Sequence, residues 1–310
     1  MILCIGPTPA VQRVMVFRKL IIDEVNRAVR TLDGAAGKSV NTAKVLKSLG
    51  EQPLATGFLG GDRGADLRAL LQARGIEIDF VEVNARTRQC ITVIDESGAT
   101  QTELVEESQP VGAADYEALL RIVQNRIPSC RAVVMSGTLT PGAHADFYLQ
   151  CTRRANGSGA LSIVDAQGPA LMEALKAVPG LVKPNRAELA ATLGRVELRD
   201  ETAVLSAMRD LHDRGAQRVV ITAGREPALA FDGRNSWRIR SPRITAVNPI
   251  GSGDAFTAAL VWRLLRGEDL GEACRWAGTA GTANALTIMA GEVTLNDVQQ
   301  LLQEVVVERI

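Results

Sequence analysis

Short apolar runs alternate with amphipathic stretches through much of the second half of the chain. Val133 to Ser136, Leu161 to Asp165, Leu181 to Val182 and Val219 to Thr222 each have the character of a strand buried on both faces. Segments of helical spacing separate them, such as Ala143 to Ala155 and Glu201 to Arg214. This rhythm predicts a parallel sheet covered by helices on both sides. In the N-terminal third, Ile2 to Ile5 and Ala55 to Leu59 are further core strands, with helical patterns after them at Asn41 to Ser48 and Ala65 to Arg74. Four other pieces, Val11 to Lys19, Ala28 to Leu32, Cys90 to Asp95 and Thr100 to Val105, are strands joined by polar turns such as Glu96-Ser97-Gly98. They predict a small sheet inserted into the α/β unit, with one exposed apolar face that favours self-association. The last quarter, Leu270 to Ile310, is expected to be mainly helical, and neither repeats nor long linkers interrupt the chain.

The densest chemistry lies in VNPIGSGDAF, Val247 to Phe256. Phe256, Leu260 and Leu264 recur at i, i+4 and i+8 and Gly267 supplies a stop, so a helix is expected from about Asp254 to Arg266. Gly251 and Gly253 allow close backbone approach, so the amides around Gly251, Ser252 and Gly253 can face an anion at a helix start. An acid at that place would repel a resting phosphate. Asp254 makes sense there if it takes a proton from a hydroxyl attacking the phosphate, the plainer alternative being a capping role. Asn185 and Glu188, spaced i and i+3 after Leu181 to Lys183, offer an amide oxygen and a carboxylate to a hydrated Mg2+, and equally the two halves of a capping box.

Composition narrows the field. A chain of 310 residues with 46% hydrophobic content can bury a large core, and 35 basic against 35 acidic residues leave no global field for nucleic acid or anionic membrane. Five dispersed cysteines without CxxC or metal-ligand spacing read as reduced thiols, and no stretch is long and apolar enough for a membrane span. A cytoplasmic protein is expected. The two histidines, His144 and His212, lie outside every motif, which disfavours a hydrolytic triad. AGKS at Ala36 to Ser39 is not the end of a P-loop, because Leu32 stands where that motif requires glycine.

The chain resembles the PfkB, ribokinase-like, carbohydrate kinases. GSGD at Gly251 to Asp254 is similar to that family's C-terminal signature, and six further segments fall in its order: VNR (Val25 to Arg27), TRQCITV (Thr87 to Val93), TELVEE (Thr102 to Glu107), SGTLTPG (Ser136 to Gly142), VKPNRAEL (Val182 to Leu189) and TANALT (Thr282 to Thr287). Within the family, the wording is closest to the branch acting on sugar phosphates, which includes 1-phosphofructokinase, tagatose-6-phosphate kinase and the minor bacterial 6-phosphofructokinase. The resemblance implies one ribokinase-like domain over residues 1–310, with a doubly wound, mostly parallel sheet and a β lid from segments near 11–33 and 87–106. It implies ATP as co-substrate, Mg2+ as cofactor and a homodimer through the lids. By the same resemblance Asp254 is the catalytic base beside the anion hole of Gly251, Ser252 and Gly253. Gln12, Gly37, Lys38, Asn41, Arg88, Arg27 and Ser136 bind substrate, and Lys183, Asn185, Thr222, Gly224 and Asn284 bind ATP. Asn185 and Glu188 hold the metal.

Three positions depart from the family pattern. Gln12 replaces an aspartate that binds sugar hydroxyls, keeping hydrogen bonding without the charge. A hydrogen bond to a charged group contributes ~1.5–3 kcal/mol against ~0.5–1.5 for a neutral one, so sugar affinity shifts by about an order of magnitude. Ala36 and Ser39 replace glycines of the G-G-K-G-x-N segment and are expected to narrow the space where backbone meets sugar. The expected reaction is ATP-dependent phosphorylation of a ketohexose phosphate: tagatose 6-phosphate, fructose 1-phosphate or fructose 6-phosphate. The alternatives are a kinase for an unphosphorylated sugar or nucleoside, and a non-catalytic sugar-phosphate-binding regulatory protein.

Overall fold

In the computed structural model, which describes residues 1–310, the apolar runs form one large sheet. Its hydrogen-bonded order is Val306–Arg309, Ser236–Arg240, Glu226–Phe231, Val219–Ala223, Leu181–Val182, Leu161–Asp165, Ala132–Ser136, Ile2–Gly6, Pro53–Leu59 and Glu77–Ile78. The short strand Val81–Glu82 also pairs with Pro53–Leu59. Every pairing from Val219–Ala223 to Glu77–Ile78 is parallel. Alternate residues of these strands enter separate cores. Ile2, Cys4, Val134 and Ile163 pack on one face under the helices Lys38–Ser48, Ser252–Leu264 and Leu270–Ala285. Leu3, Ile5, Val133, Met135 and Val164 pack on the other, under Ala113–Arg126, Phe147–Gly157, Gly168–Leu175 and Glu201–Asp213. Helices on both faces explain why the strands are apolar throughout. No helix is long and apolar enough to cross a membrane.

The last quarter is mainly helical, as expected, and ends in a strand. After the helices Leu270–Ala285 and Leu295–Leu301, the β-branched run near the C-terminus forms Val306–Arg309, which pairs antiparallel with Ser236–Arg240 at the sheet edge. The hairpin Glu226–Phe231 and Ser236–Arg240 was not anticipated. Its turn is held by Asp232, whose Oδ1 accepts the N–H groups of Arg234 (2.9 Å) and Asn235 (2.7 Å).

Four strands form the small sheet, in the order Arg30–Ala36, Ala10–Phe17, Arg88–Asp95 and Thr100–Val105. The central pair runs parallel because its strands come from separate insertions, while both outer pairs are antiparallel. Val14, Val16 and Ile94 on this sheet bury against Met289, which anchors it to the body. Leu104 on its last strand, and Ile22 and Val25 on the loop before Arg30, remain exposed.

Candidate active site

The carboxyl ends of the parallel strands, the starts of the helices behind them and the inner face of the small sheet enclose a cleft of about 330 Å3. Ligands of open α/β sheets bind at this end. A larger depression of about 570 Å3 lies at the amino ends of the strands, beside Arg131, Ser162, Gly180 and Arg218. The helix Leu270–Ala285 begins beside it, capped by Asp269, but the depression gathers none of the motif residues.

Two helix starts form the floor. Gly251 has φ 84°, the left-handed region, and as N-cap it begins the helix at Ser252, two residues earlier than its apolar spacing suggests. A side chain on Gly251 would also collide with Ala290, whose Cβ lies 2.7 Å from the added Cβ position. The N–H groups of Gly251 and Gly253 donate to no protein group, whereas that of Ser252 donates to Pro249 (3.1 Å). The two glycine amides are therefore the ones free to meet an anion. Ser252 does not join them, since it does not line the cleft and its hydroxyl accepts from Asn284. At the other helix start, Gly37 has φ 105° with Pro9 directly beneath it. That cap begins the helix at Lys38, three residues before the expected Asn41.

Asp254 sits between these two helices and is almost fully buried. Asn41 donates from Nδ2 to Asp254 Oδ2 at 2.8 Å, which fixes one carboxylate oxygen and leaves Oδ1 without a protein partner. Burial and the nearby Asp165 carboxylate push its pKa up to about 7, against the opposing pull of Lys38, the Asn41 hydrogen bond and Lys183. Asp165, at the end of its strand, is titrated the opposite way. Burial alone would raise it, but Lys183 (3.0 Å) and Lys38 (3.0 Å) outweigh that and hold it at about 2. Thr257 adds a hydrogen bond of 2.9 Å. Lys38 also reaches Glu188 at 2.9 Å, and although burial opposes its charge, the Asp165, Glu188 and Asp254 carboxylates keep it firmly protonated. Its side chain remains one-third exposed (33%), enough to meet a ligand.

Asn185 and Glu188 form a reciprocal capping box: Glu188 N–H donates to Asn185 Oδ1 (2.9 Å) and Asn185 N–H to Glu188 Oε2 (2.8 Å). Both residues line the cleft, as do Lys183 and Thr222. Their donor set is oxygen only, which suits a hard divalent cation. Each of these oxygens already accepts a hydrogen bond, and nowhere do three His, Cys, Asp or Glu side chains gather as a metal cage. A Mg2+ ion fits here only through its waters and with ligands brought by a nucleotide.

The small sheet supplies the opposite wall through Gln12, Ala36, Arg88, Cys90, Glu103 and Val105. Gln12 Nε2 donates to Thr92 Oγ1 (3.1 Å), while Gln12 Oε1 and Asn41 Oδ1 are buried with no donor. Arg88 donates to the Thr8 carbonyl at 3.2 Å. Glu103, exposed at the rim of the cleft, has its carboxyl raised by partial desolvation against the lowering effect of Arg88.

Several expected site residues lie elsewhere. Arg27 is exposed on the loop between Phe17 and Arg30 and does not reach the cleft. Ser136 ends its strand, but its hydroxyl is buried without a partner behind the cleft wall. Gly224 is an exposed turn residue with φ 62°. Asn284 is fully buried under the Gly251 turn, donating to the Ile250 carbonyl (2.8 Å) and accepting from Gly291 N–H (2.8 Å), so its amide braces the turn from behind. Ser39 does not narrow the cleft. It is buried against Gly6, where any side chain would overlap its hydroxyl, whereas Ala36 does line the cleft. The residue that sequence reasoning missed is Asp165. Its signal was a lone acid closing the otherwise apolar strand LSIVD at the ligand-facing end of a parallel sheet.

A sequence model of the pfkB family carbohydrate kinases matches residues 1–295. Among solved structures, the phosphofructokinase-2 of Escherichia coli superposes with a TM-score of 0.88 at 26% identity, covering 98% of both chains. A possible 1-phosphofructokinase from Thermotoga maritima reaches 0.92 at 25% identity, over 100% of this chain and 99% of that one. Arabidopsis thaliana ribokinase shares the fold, with a TM-score of 0.76 at 20% identity over 97% of this chain and 98% of its own.

Proposed function

The chain belongs to the pfkB family of carbohydrate kinases, and from that footing we propose that it transfers a phosphoryl group from ATP to a hydroxyl of a ketohexose phosphate. Phosphotransfer to an alcohol is the family's reaction. The observation that carries the finer reading is a buried carboxyl poised near neutrality, Asp254, beside the two unpartnered amides of Gly251 and Gly253. A substrate hydroxyl placed at Asp254 Oδ1 gives up its proton there as it attacks the γ-phosphorus, while Asn41 holds the other carboxylate oxygen. The glycine amides and Lys38 line the same cleft, and we assign them to the charge that gathers on the transferring group, where such donors are worth about 3–4 kcal/mol each when preorganised. Mg2+ neutralises phosphate charge when it arrives with ATP. Glu188 and Asn185 are the groups we assign to its water shell, and Lys183 and Thr222 those we assign to the nucleotide phosphates.

The wall from the small sheet is our candidate for sugar recognition. Gln12 Oε1 on that wall and Asn41 Oδ1 on the facing helix are two buried acceptors in want of hydroxyl donors, and Arg88 is a cation suited to the substrate's own phosphate. Phosphofructokinase-2 of E. coli was solved with fructose-6-phosphate, which supports the same substrate class here. Glu103 gives weight to a second reading. A carboxylate beside Arg88 partly offsets its charge, which would suit an unphosphorylated sugar. We further assign residues 1–310 to one catalytic unit with the small sheet as its lid, paired in a homodimer through exposed Leu104, Ile22 and Val25. Five free thiols suit a reducing cytoplasm.

The decisive experiment is ADP release from ATP and Mg2+ with tagatose 6-phosphate, fructose 1-phosphate, fructose 6-phosphate, free sugars and nucleosides. Turnover confined to one sugar phosphate is the expected result. Turnover on free sugars alone moves the protein to the second reading, and ligand binding without any turnover replaces both with a regulatory role.

A further inference from the structure

Lys44 is a lysine with no access to solvent. It lies on the helix Lys38–Ser48, and its side chain is 1% exposed. A buried ammonium is costly unless every proton finds a partner. Here all three do: Lys44 Nζ donates to the Ala35 carbonyl (3.1 Å) and the Ala290 carbonyl (2.5 Å), and pairs with Glu292 Oε1 at 3.1 Å. Burial lowers its pKa, and the Glu292 carboxylate is the main opposing influence. Arg74 grips both oxygens of that carboxylate, at 3.0 and 2.7 Å, so the acceptor is itself held in place.

The three partners belong to parts that must meet in the cleft. Ala35 lies on the strand Arg30–Ala36, at the root of the small sheet and beside Ala36 and Gly37. Ala290 is the residue against which Gly251 is packed, so tightly that no side chain fits between them. Its loop is laced to the same turn by two further amides. Asn284 joins Gly291 N–H to the Ile250 carbonyl, and Asn248 donates to the Ile288 carbonyl (3.0 Å) while accepting from Ile250 N–H (3.1 Å). Met289, next to Ala290, is the residue on which the small sheet rests. One ammonium thus ties the root of the small sheet to the back of the Gly251 turn.

We propose that Lys44 is a positioning residue that registers the phosphoryl-binding amides of Gly251 and Gly253 against the sugar-binding wall. The inference rests on the anion-hole reading given above. Lys44 touches no substrate, and its action is on the placement of the Gly251 turn, where a displacement of about 1 Å costs on the order of a hundredfold in rate.

The test uses the full chain, with ATP, Mg2+ and whichever of the three sugar phosphates the wild type turns over. Lys44→Met keeps the stem and removes the charge. Measured well below its melting temperature, it is expected to lose about ten- to a hundredfold in kcat with the sugar-phosphate KM within threefold. Lys44→Arg restores part of that loss. Lys44→Ala leaves two carbonyls and a carboxylate around an empty ammonium site, so added ammonium or methylammonium ions raise its kcat. Glu292→Gln, at a partly exposed position, is the variant to rely on where Lys44→Met does not fold, with an expected three- to tenfold loss of kcat at unchanged KM. Folded variants with wild-type kcat, or a loss of melting temperature alone, overturn the positioning role. A wild type without activity on any sugar phosphate overturns the kinase reading itself, and this inference with it.

Discussion

The floor of the cleft and its wall are built on different physical terms. On the floor, Asp165, Lys38, Lys183, Glu188, Asp254 and Asn41 hold one another through charge-assisted contacts of 2.8–3.0 Å, and the Asp165 and Asp254 carboxylates are buried. The wall offers single contacts, such as Arg88 to the Thr8 carbonyl and Gln12 to Thr92, on a sheet anchored by a small apolar cluster. A floor of this kind is preorganised, which is what stabilisation of a transition state needs. The wall has an unsatisfied acceptor, Gln12 Oε1, and fewer restraints, which suits recognition. The expected division is that floor residues govern kcat and wall residues govern KM.

The sharpest way to break that division is Asp254→Asn, which should lower kcat by about a hundred- to ten-thousandfold and leave sugar-phosphate binding intact. Near-normal turnover would remove Asp254 from the base role. The acting form is the carboxylate, so in the wild type kcat/KM should rise with pH through about 7 and level off above it. Stability must run the other way. A carboxyl raised by burial favours the folded state below its unfolded pKa and loses that contribution as pH rises through about 7, so Asp254→Asn should melt higher than wild type above pH 7. Asp165→Asn has the opposite sign. Its depressed pKa gives stability that is full above the unfolded value and lost as pH falls toward about 2. Removing that charge leaves the buried Lys183 ammonium without its carboxylate and Lys38 with Glu188 alone, at a cost of about 3–5 kcal/mol at neutral pH by chemical denaturation. Equal stability of the two proteins at pH 7 would mean that the floor is not locked as described.

Next in size is Arg88→Ala on the wall. Loss of a charge-assisted contact of ~1.5–3 kcal/mol should raise the sugar-phosphate KM about ten- to a hundredfold with kcat nearly unchanged. An unchanged KM favours an unphosphorylated substrate, and a fall in kcat of the same size erases the distinction between wall and floor.

The same division explains what could be read without coordinates. The large sheet was legible because strands buried on both faces leave unbroken apolar runs, and the Gly251 to Asp254 turn because its glycines and acid are adjacent in sequence. Asp165 was not, because its importance comes from Lys38 and Lys183, which reach it from distant segments and meet only at the strand ends. The antiparallel edge from Glu226 to Arg240 was hidden by its short strands, and Val306–Arg309 by its position after a helical stretch. Arg27 and Asn284 show that a place in a motif does not fix orientation. A residue can stand in the right place in a motif and still point to solvent, as Arg27 does, or brace the turn from behind, as Asn284 does. Ser39 looked like an obstruction because nothing in its own segment reveals that Gly6 makes room for it.

The smallest expected effect lies at Gln12, the position that departs from the family's aspartate. Gln12→Met preserves length while removing both the bond to Thr92 and the buried acceptor Oε1. A neutral hydrogen bond contributes ~0.5–1.5 kcal/mol, so KM for the preferred sugar should rise about three- to tenfold, with kcat within twofold. The deoxy analogue lacking the hydroxyl that meets Gln12 has nothing to lose from the change, so wild type and variant should bind it equally. Comparing each deoxy position in turn identifies the hydroxyl. If every analogue loses affinity in parallel with the parent sugar, Gln12 acts by holding Thr92 and the sheet in shape. Selection would then belong to the geometry of the whole wall, with no single hydroxyl contact at this position.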